Sequence, residues 1–170
     1  MTYSDIDISV VIPVYNEEEN IIPLLEELFP ILRESGKGFE VICIDDASTD
    51  NSFSVLKRLK KAYAELRIVR HKLNCGESAA EATGFRHAGG DVIVTIDGDQ
   101  QNDPADIPLL LEALEHADAV CGVRRKREDD WVKRISSKIA NGFRNWATKD
   151  VVSDAGCTFR ALKRNALKEI

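Results

Sequence analysis

Asp97-Gly98-Asp99 is the sharpest chemical signal in the sequence, directly after the apolar run Val92-Ile93-Val94-Thr95-Ile96. In an extended segment, residues i and i+2 point the same way, so both carboxylates can face one hard cation. Gln101 continues the series with a neutral oxygen. Mg2+ or Mn2+ held by one or two carboxylates completes its shell with phosphate oxygens. The competing reading is a capped turn ahead of Pro104, where Asp and Gly are common. Placement at a strand's carboxyl end favours the cation.

Asp45-Asp46 follows a second apolar run, Val41-Ile42-Cys43-Ile44. Adjacent acids there are costly unless paired, hydrogen-bonded or solvated in a cleft, and one of them can accept from a base imide or a ribose. Ser48 and Asp50 are candidate caps for the helix that follows. In Pro13-Val14-Tyr15-Asn16-Glu17, Tyr15 can stack on a planar base while Glu17 holds sugar hydroxyls, although Pro and Asn after a strand are also an ordinary turn signal. Asn74-Cys75-Gly76 reads as a turn.

The elements that must position these residues alternate. Ile8–Val14, Phe39–Ile44, Leu66–Arg70, Val92–Ile96 and Ala119–Cys121 are predicted strands. Segments 20–34, 50–64, 77–88 and 105–116 carry apolar residues at helical spacing, with Asn20 as an expected N-cap and Pro30 as an expected kink. A short strand over Gly156–Phe159 and a helical register over Arg160–Ile170 are expected to follow. This alternation means βαβ units and a mostly parallel sheet, with ligands beyond the strands' carboxyl ends. Every candidate above falls on that edge.

Taken together, VIPVYNEEENI, IDDASTD, NCGESAAEATGFRHAGGD and TIDGDQQNDP resemble the family 2 glycosyltransferases of the GT-A fold. The later runs GVRRKREDDWVKRISSKIANGFRN and DAGCTFRALKRNAL are similar to a narrower branch, the dolichyl-phosphate mannosyltransferases and bacterial polyprenyl-phosphate glycosyltransferases. The resemblance implies an α/β GT-A domain over residues 1–170, the N-terminal part of a longer protein. It implies inverting transfer of a sugar from a UDP- or GDP-linked donor to a polyprenyl phosphate. Pro13, Tyr15, Glu17, Asp45, Asp46, Asp97, Gly98, Asp99 and Arg124 match the donor-binding positions, with Asp46 at the base. Asp97, Asp99 and Gln101 match the Mg2+ or Mn2+ site. Asp99, Arg124 and Asp154 are the expected catalytic group, and Arg134 and Ser137 match the acceptor-phosphate region. Asp154 is open between a base or acceptor-orienting acid and a turn residue. Glu77, Gln100 and Thr158 depart from the commoner residues at their positions, Thr158 standing where many relatives carry Gly.

Competing classes are separable by residue. A glycan-extending relative with a hydroxyl acceptor needs a general base. A nucleotidyltransferase is expected to carry a Gly-rich basic first loop, and here it is YNEEEN. A non-catalytic nucleotide-sugar module would lack the Asp97/Asp99/Gln101 series. No GxGxxG follows the first strand, against a dinucleotide-binding module.

Charge fits this picture. The 170 residues carry 29 acids and 23 Lys/Arg, a net −6, which disfavours general nucleic-acid binding. Residues 124–149 hold nine Lys/Arg and three acids, a local +6, leaving −12 elsewhere. There Arg134, Lys138 and Arg144 adjoin an apolar face of Ile135, Ile139, Phe143 and Trp146, which suits either a core-facing helix or an anionic membrane surface. No apolar run reaches membrane-spanning length and no signal peptide is evident. Cys43, Cys75, Cys121 and Cys157 are dispersed, as expected of reduced thiols. The expected location is cytoplasmic, at a membrane's cytoplasmic face in the full-length protein.

Overall fold

The computed structural model describes residues 6–122 and 158–169. Its elements are β1 (Ile8–Val14), α1 (Ile21–Glu34), β2 (Phe39–Asp45), α2 (Ser52–Leu59), β3 (Leu66–Arg70), α3 (Glu77–His87), β4 (Val92–Thr95), α4 (Ile107–Leu114), β5 (Ala119–Cys121) and β6 (Arg160–Lys163). Strand order is β3-β2-β1-β4-β6-β5. The first four neighbours pair in parallel, while β6 runs antiparallel between β4 and β5. The expected mostly parallel α/β sheet is present.

Side-chain alternation along β1 explains the two layers. Ile8, Val10, Ile12 and Val14 join the larger core, with Leu24, Leu25, Leu28 and Phe29 of α1. Val11 faces the other way, with Ile42, Ile44, Ile93 and Ala80 of α3. Apolar burial on both faces is what makes β1 and β2 near-continuous hydrophobic runs.

Local expectations and the structure differ at several points. Asn20 makes no side-chain cap; its amide donates to Glu17 Oε2 at 2.6 Å. Asp50, not Ser48, serves the start of α2, accepting from Ser52 N–H at 2.9 Å and Glu18 N–H at 3.2 Å. The helical register expected from Arg160 begins only at Arg164, as a 3-10 helix, and the first four residues form a strand instead. Arg160–Lys163 pairs with strands on both sides, burying Ala161 and Leu162, and a 3-10 turn over Arg164–Glu169 follows. Over Arg160–Lys163, ladder pairing in the tertiary context overrides the helical pattern. Within the expected strand Gly156–Phe159, Thr158 and Phe159 precede β6 rather than belong to it. Helix α1 runs through Pro30 as one element.

β1 is flanked by β2 on one side and β4 on the other, so the chain reverses its direction of winding between β1 and β4. In open α/β sheets such a switch opens a crevice at the carboxyl edge. No helix among the described residues is long and apolar enough to cross a membrane.

Candidate active site

An open cleft of about 580 Å³ lies at this edge. The end of β1 contributes Pro13, Tyr15 and Glu17, and the end of β2 contributes Asp46. The segment after β4 supplies Asp97, Gly98, Asp99 and Gln101. Three residues with positive φ and a side chain mark the same three turns: Asn16 at 58°, Ala47 at 59° and Gln100 at 60°. Strained backbone at these three turns is typical of sites whose geometry is over-determined by their surroundings. Asn16 is locked by its own side chain, whose Oδ1 accepts from Thr49 N–H at 2.8 Å and Asp50 N–H at 3.3 Å.

Tyr15 is 45% exposed, an uncovered aromatic face at the cleft. A Cβ on Gly98 would stand 3.2 Å from Pro13 carbonyl oxygen and 3.4 Å from Glu17 Cγ, so the turn after β4 sits tightly on the turn after β1. This close approach brings the Asp97–Asp99 segment against Glu17.

Asp46 is the most heavily bonded acid in the cleft. Extending the β2–β3 register by one residue sets it beside His71, whose N–H donates to Asp45 carbonyl oxygen at 2.9 Å. His71 Nδ1 lies 2.6 Å from Asp46 Oδ1, and Nε2 lies 2.9 Å from the Thr83 hydroxyl. Backbone N–H groups of Cys75 and Gly76 donate to Asp46 at 2.9 and 2.7 Å. Burial pushes the carboxyl's pKa up, but the Cys75 N–H, His71 and the Gly76 N–H outweigh it and hold it below the usual range. Asp50 is likewise held low: burial raises it, and bonds from Ser52 and Glu18 N–H more than compensate. Both contribute stability that is present above the ordinary carboxylate pKa and is lost as pH falls through the lower folded values. The urea midpoint should therefore drop between pH 5 and pH 3, and Asp46→Asn should flatten that drop; an unchanged acid slope would contradict this assignment.

Asp46, His71 and Cys75 bring three potential metal-ligating atoms within 4.8 Å of one another. Yet both His71 nitrogens are engaged and Asp46 is bonded on both oxygens. The group is a hydrogen-bond knot that fixes the 74–76 turn. Asn74 and Gly76 of that turn line the cleft. Local sequence marks them only as a turn; their place on the same carboxyl edge is the signal that they line the cleft.

Asp45 does not line the cleft. It is fully buried, its Oδ1 accepting Ser48 N–H at 3.3 Å. Arg70 Nε stands 2.8 Å from Oδ2, close enough for an ion pair but off line for a hydrogen bond. This departs from the expected donor-binding role: strand alternation turns one acid of the pair inward and the other toward the cleft. Cys43, Cys75 and Cys121 are free thiols, as expected, with burial pushing Cys43 up to about 12.

Oxygen donors crowd the other wall. Glu77, Asp97 and Asp99 line it, with buried Glu81 behind. Burial raises the Glu81 pKa; Arg160, at 3.4 Å, opposes this, and the negative charges of Glu77 and Asp97 add to it. Asp99 Oδ1 accepts Gln101 N–H at 3.1 Å, closing the turn. Hard oxygen ligands in an acidic crevice fit Mg2+ or Mn2+. Arg124, Arg134, Ser137 and Asp154, with the basic stretch 124–149, lie outside the described residues.

The model of the Glycosyl transferase family 2 matches residues 9–170. The chain belongs to this family. Family 2 relatives include undecaprenyl-phosphate 4-deoxy-4-formamido-L-arabinose transferases. The one from Edwardsiella ictaluri is 36% identical over 95% of this chain and 50% of the relative. The one from Proteus mirabilis is 37% identical over 94% and 50%. The chain thus spans about half the length of the curated relatives it matches. Among solved structures, it is similar to glucosyl-3-phosphoglycerate synthase from Mycobacterium tuberculosis in complex with UDP. There the TM-score is 0.74 at 23% identity, covering 98% of this chain and 60% of that one. It is also similar to a mannosyltransferase from Pyrobaculum calidifontis in complex with GDP-Man and Mn2+. That match has a TM-score of 0.63 at 26% identity, covering 95% and 46%. The fold of this family 2 chain is accordingly GT-A.

Proposed function

We propose that this chain forms the donor site of an inverting glycosyltransferase that moves a sugar from a UDP- or GDP-linked donor to a polyprenyl phosphate. The observation that carries the reading is the convergence of Tyr15, Glu17, Asp46, Asp97, Asp99 and Gln101, from three separate strand ends, on one cleft. Tyr15 stacks on the base, Asp46 and Glu17 accept from base and ribose, and Asp97, Asp99 and Gln101 hold Mg2+ or Mn2+. The ion, when bound, neutralises charge on the departing nucleoside diphosphate. Arg124 adds a fork-shaped cation for the same phosphates. Arg134 and Ser137 receive the acceptor phosphate, and Asp154 orients it. A phosphate acceptor is already an anion at neutral pH and needs no general base. The relatives that act on undecaprenyl phosphate, the local +6 of residues 124–149 and the Mn2+-bound mannosyltransferase all support this assignment. In the whole protein, that basic segment lies along the cytoplasmic face of a membrane.

A thermal-unfolding panel of nucleotide sugars tests the donor half: UDP- or GDP-linked sugars are expected to raise the midpoint only with Mn2+ or Mg2+. Equal shifts in EDTA would remove the metal role. In the full-length protein, nucleoside diphosphate release is expected to depend on a short polyprenyl phosphate; release driven by a glycan hydroxyl instead would overturn the acceptor class.

A further inference from the structure

The antiparallel strand β6 brings a residue from the far side of the 123–157 segment to the cation-binding turn. The β4–β6 register pairs Val92 with Lys163 and Thr95 with Arg160. Two residues beyond the last pair, Asp97 stands opposite Thr158, 61 positions away in the chain. Contact follows from this register. The Thr158 hydroxyl donates to Asp97 Oδ2, and the Thr95 hydroxyl donates to the Thr158 carbonyl oxygen. Asn102, 7% exposed, donates its side-chain amide to the same Oδ2 at 3.3 Å.

The chemistry of the donors is one-directional. An ionised carboxylate only accepts, so the Thr158 proton is committed to Asp97. Among the described residues, both hydrogen bonds to Asp97 fall on Oδ2, which leaves Oδ1 as the oxygen available in the cleft. Without these donors, Asp97 would face the negative charge of Glu81 with no hydrogen bond from the described residues to fix its rotamer. Outer partners of this kind orient a ligand and raise metal affinity even though they never touch the metal.

We infer that Thr158, with Asn102, is a positioning residue that presets Asp97 Oδ1 for a divalent cation. The inference rests on the proposed role of Asp97 and Asp99 as cation ligands. It also makes cation affinity depend on a residue next to β6, 61 positions from Asp97 in the chain.

The test is a Mn2+ titration of the 170-residue chain, read from the electron paramagnetic resonance signal of free Mn2+. Thr158→Val keeps the shape and deletes the donor; it is expected to weaken Mn2+ binding roughly 10-fold or more. Thr158→Ser keeps the donor and is expected to bind within about 3-fold of the parent, with all unfolding midpoints close together. Parent-like binding by Thr158→Val, while Asp99→Ala loses Mn2+, would overturn the inference and leave the cation site standing. No Mn2+ binding by the parent, or equal binding by Asp99→Ala, would remove the cation site and the inference with it. Should Thr158→Val not fold, Asn102→Ala deletes the second donor to the same oxygen. It must weaken Mn2+ in the same direction, and unchanged affinity would count against the inference.

Discussion

Asp99→Ala is expected to lower sugar transfer by roughly 10³-fold while moving the unfolding midpoint by only a degree or two. A cation polarising phosphoryl oxygens supplies several kcal/mol of transition-state charge stabilisation, and each 1.36 kcal/mol is a tenfold change in rate. Asp99 is one of two carboxylates at the proposed cation site, so its loss forfeits most of that stabilisation. Its contribution to folding is small by comparison: one side-chain bond from Gln101 N–H at 3.1 Å, in an exposed turn. Nucleotide binding by the variant should also lose its dependence on Mn2+, which calorimetry with and without EDTA reads directly. Asp45→Ala supplies the contrast. Asp45 is fully buried, ion-paired with Arg70 and absent from the cleft lining. Its replacement should lower stability while the folded protein keeps its Mn2+ dependence. A transfer rate for Asp99→Ala within tenfold of the parent would show that the carboxylate does not serve the reaction.

Much of this arrangement is legible in the sequence because it depends on local pattern. β1, β3 and β5 fall on their predicted residues, and β2 and β4 differ by one position each. Continuous β-branched runs ending in polar turns specify buried parallel strands, and these in turn place the turns on one edge. What was not legible depends on pairing. Arg160–Lys163 carries nothing that distinguishes strand from helix until β4 and β5 are there to flank it. Thr158 consequently has no visible role until the β4–β6 register sets it against Asp97. The division of labour between Asp45 and Asp46 was also hidden: adjacent acids look equivalent in sequence, but strand pleating turns one inward. The pairing of His71 with Asp46 is not legible in the sequence, because the two sit 25 residues apart with only the β2–β3 register to join them.

Gly90→Ala is expected to cost about 3 kcal/mol of stability or more, although only one methyl group is added. A Cβ on Gly90 would lie 2.7 Å from Ser9 N, 2.8 Å from Ile8 C and 2.9 Å from Asp7 O. These are backbone atoms of β1 and the residue before it, so no rotamer change relieves the collision, and overpacking of this kind typically costs 1–3 kcal/mol before any bonds are lost. Bonds would be lost as well. Gly89 and Gly90 N–H donate to Ser9 Oγ at 3.1 and 2.9 Å, and Gly89 N–H reaches Glu40 Oε1 at 2.6 Å. Ser9 Oγ itself donates to Glu40 at 2.8 Å, and Arg67 pairs with the same carboxylate. Arg164 holds the turn from outside, donating to Gly90 and Ala88 carbonyl oxygens at 2.8 and 2.7 Å. Lifting the turn exposes a buried, charged network to incomplete pairing, which is where large mutational costs arise. For a chain of this length the loss corresponds to a midpoint lower by about 10 °C. Gly36→Ala is the control. Its φ of +67° carries backbone strain, but nothing lies within 4 Å of the added methyl, so a cost of about 1 kcal/mol is expected. The network sits at the amino edge of the sheet and the cleft at the carboxyl edge. Folded Gly90→Ala protein should therefore bind nucleotide as the parent does, with the damage confined to the urea midpoint. A midpoint unchanged within the equivalent of 0.5 kcal/mol, a typical surface-substitution effect, would mean that β1 can yield to the turn.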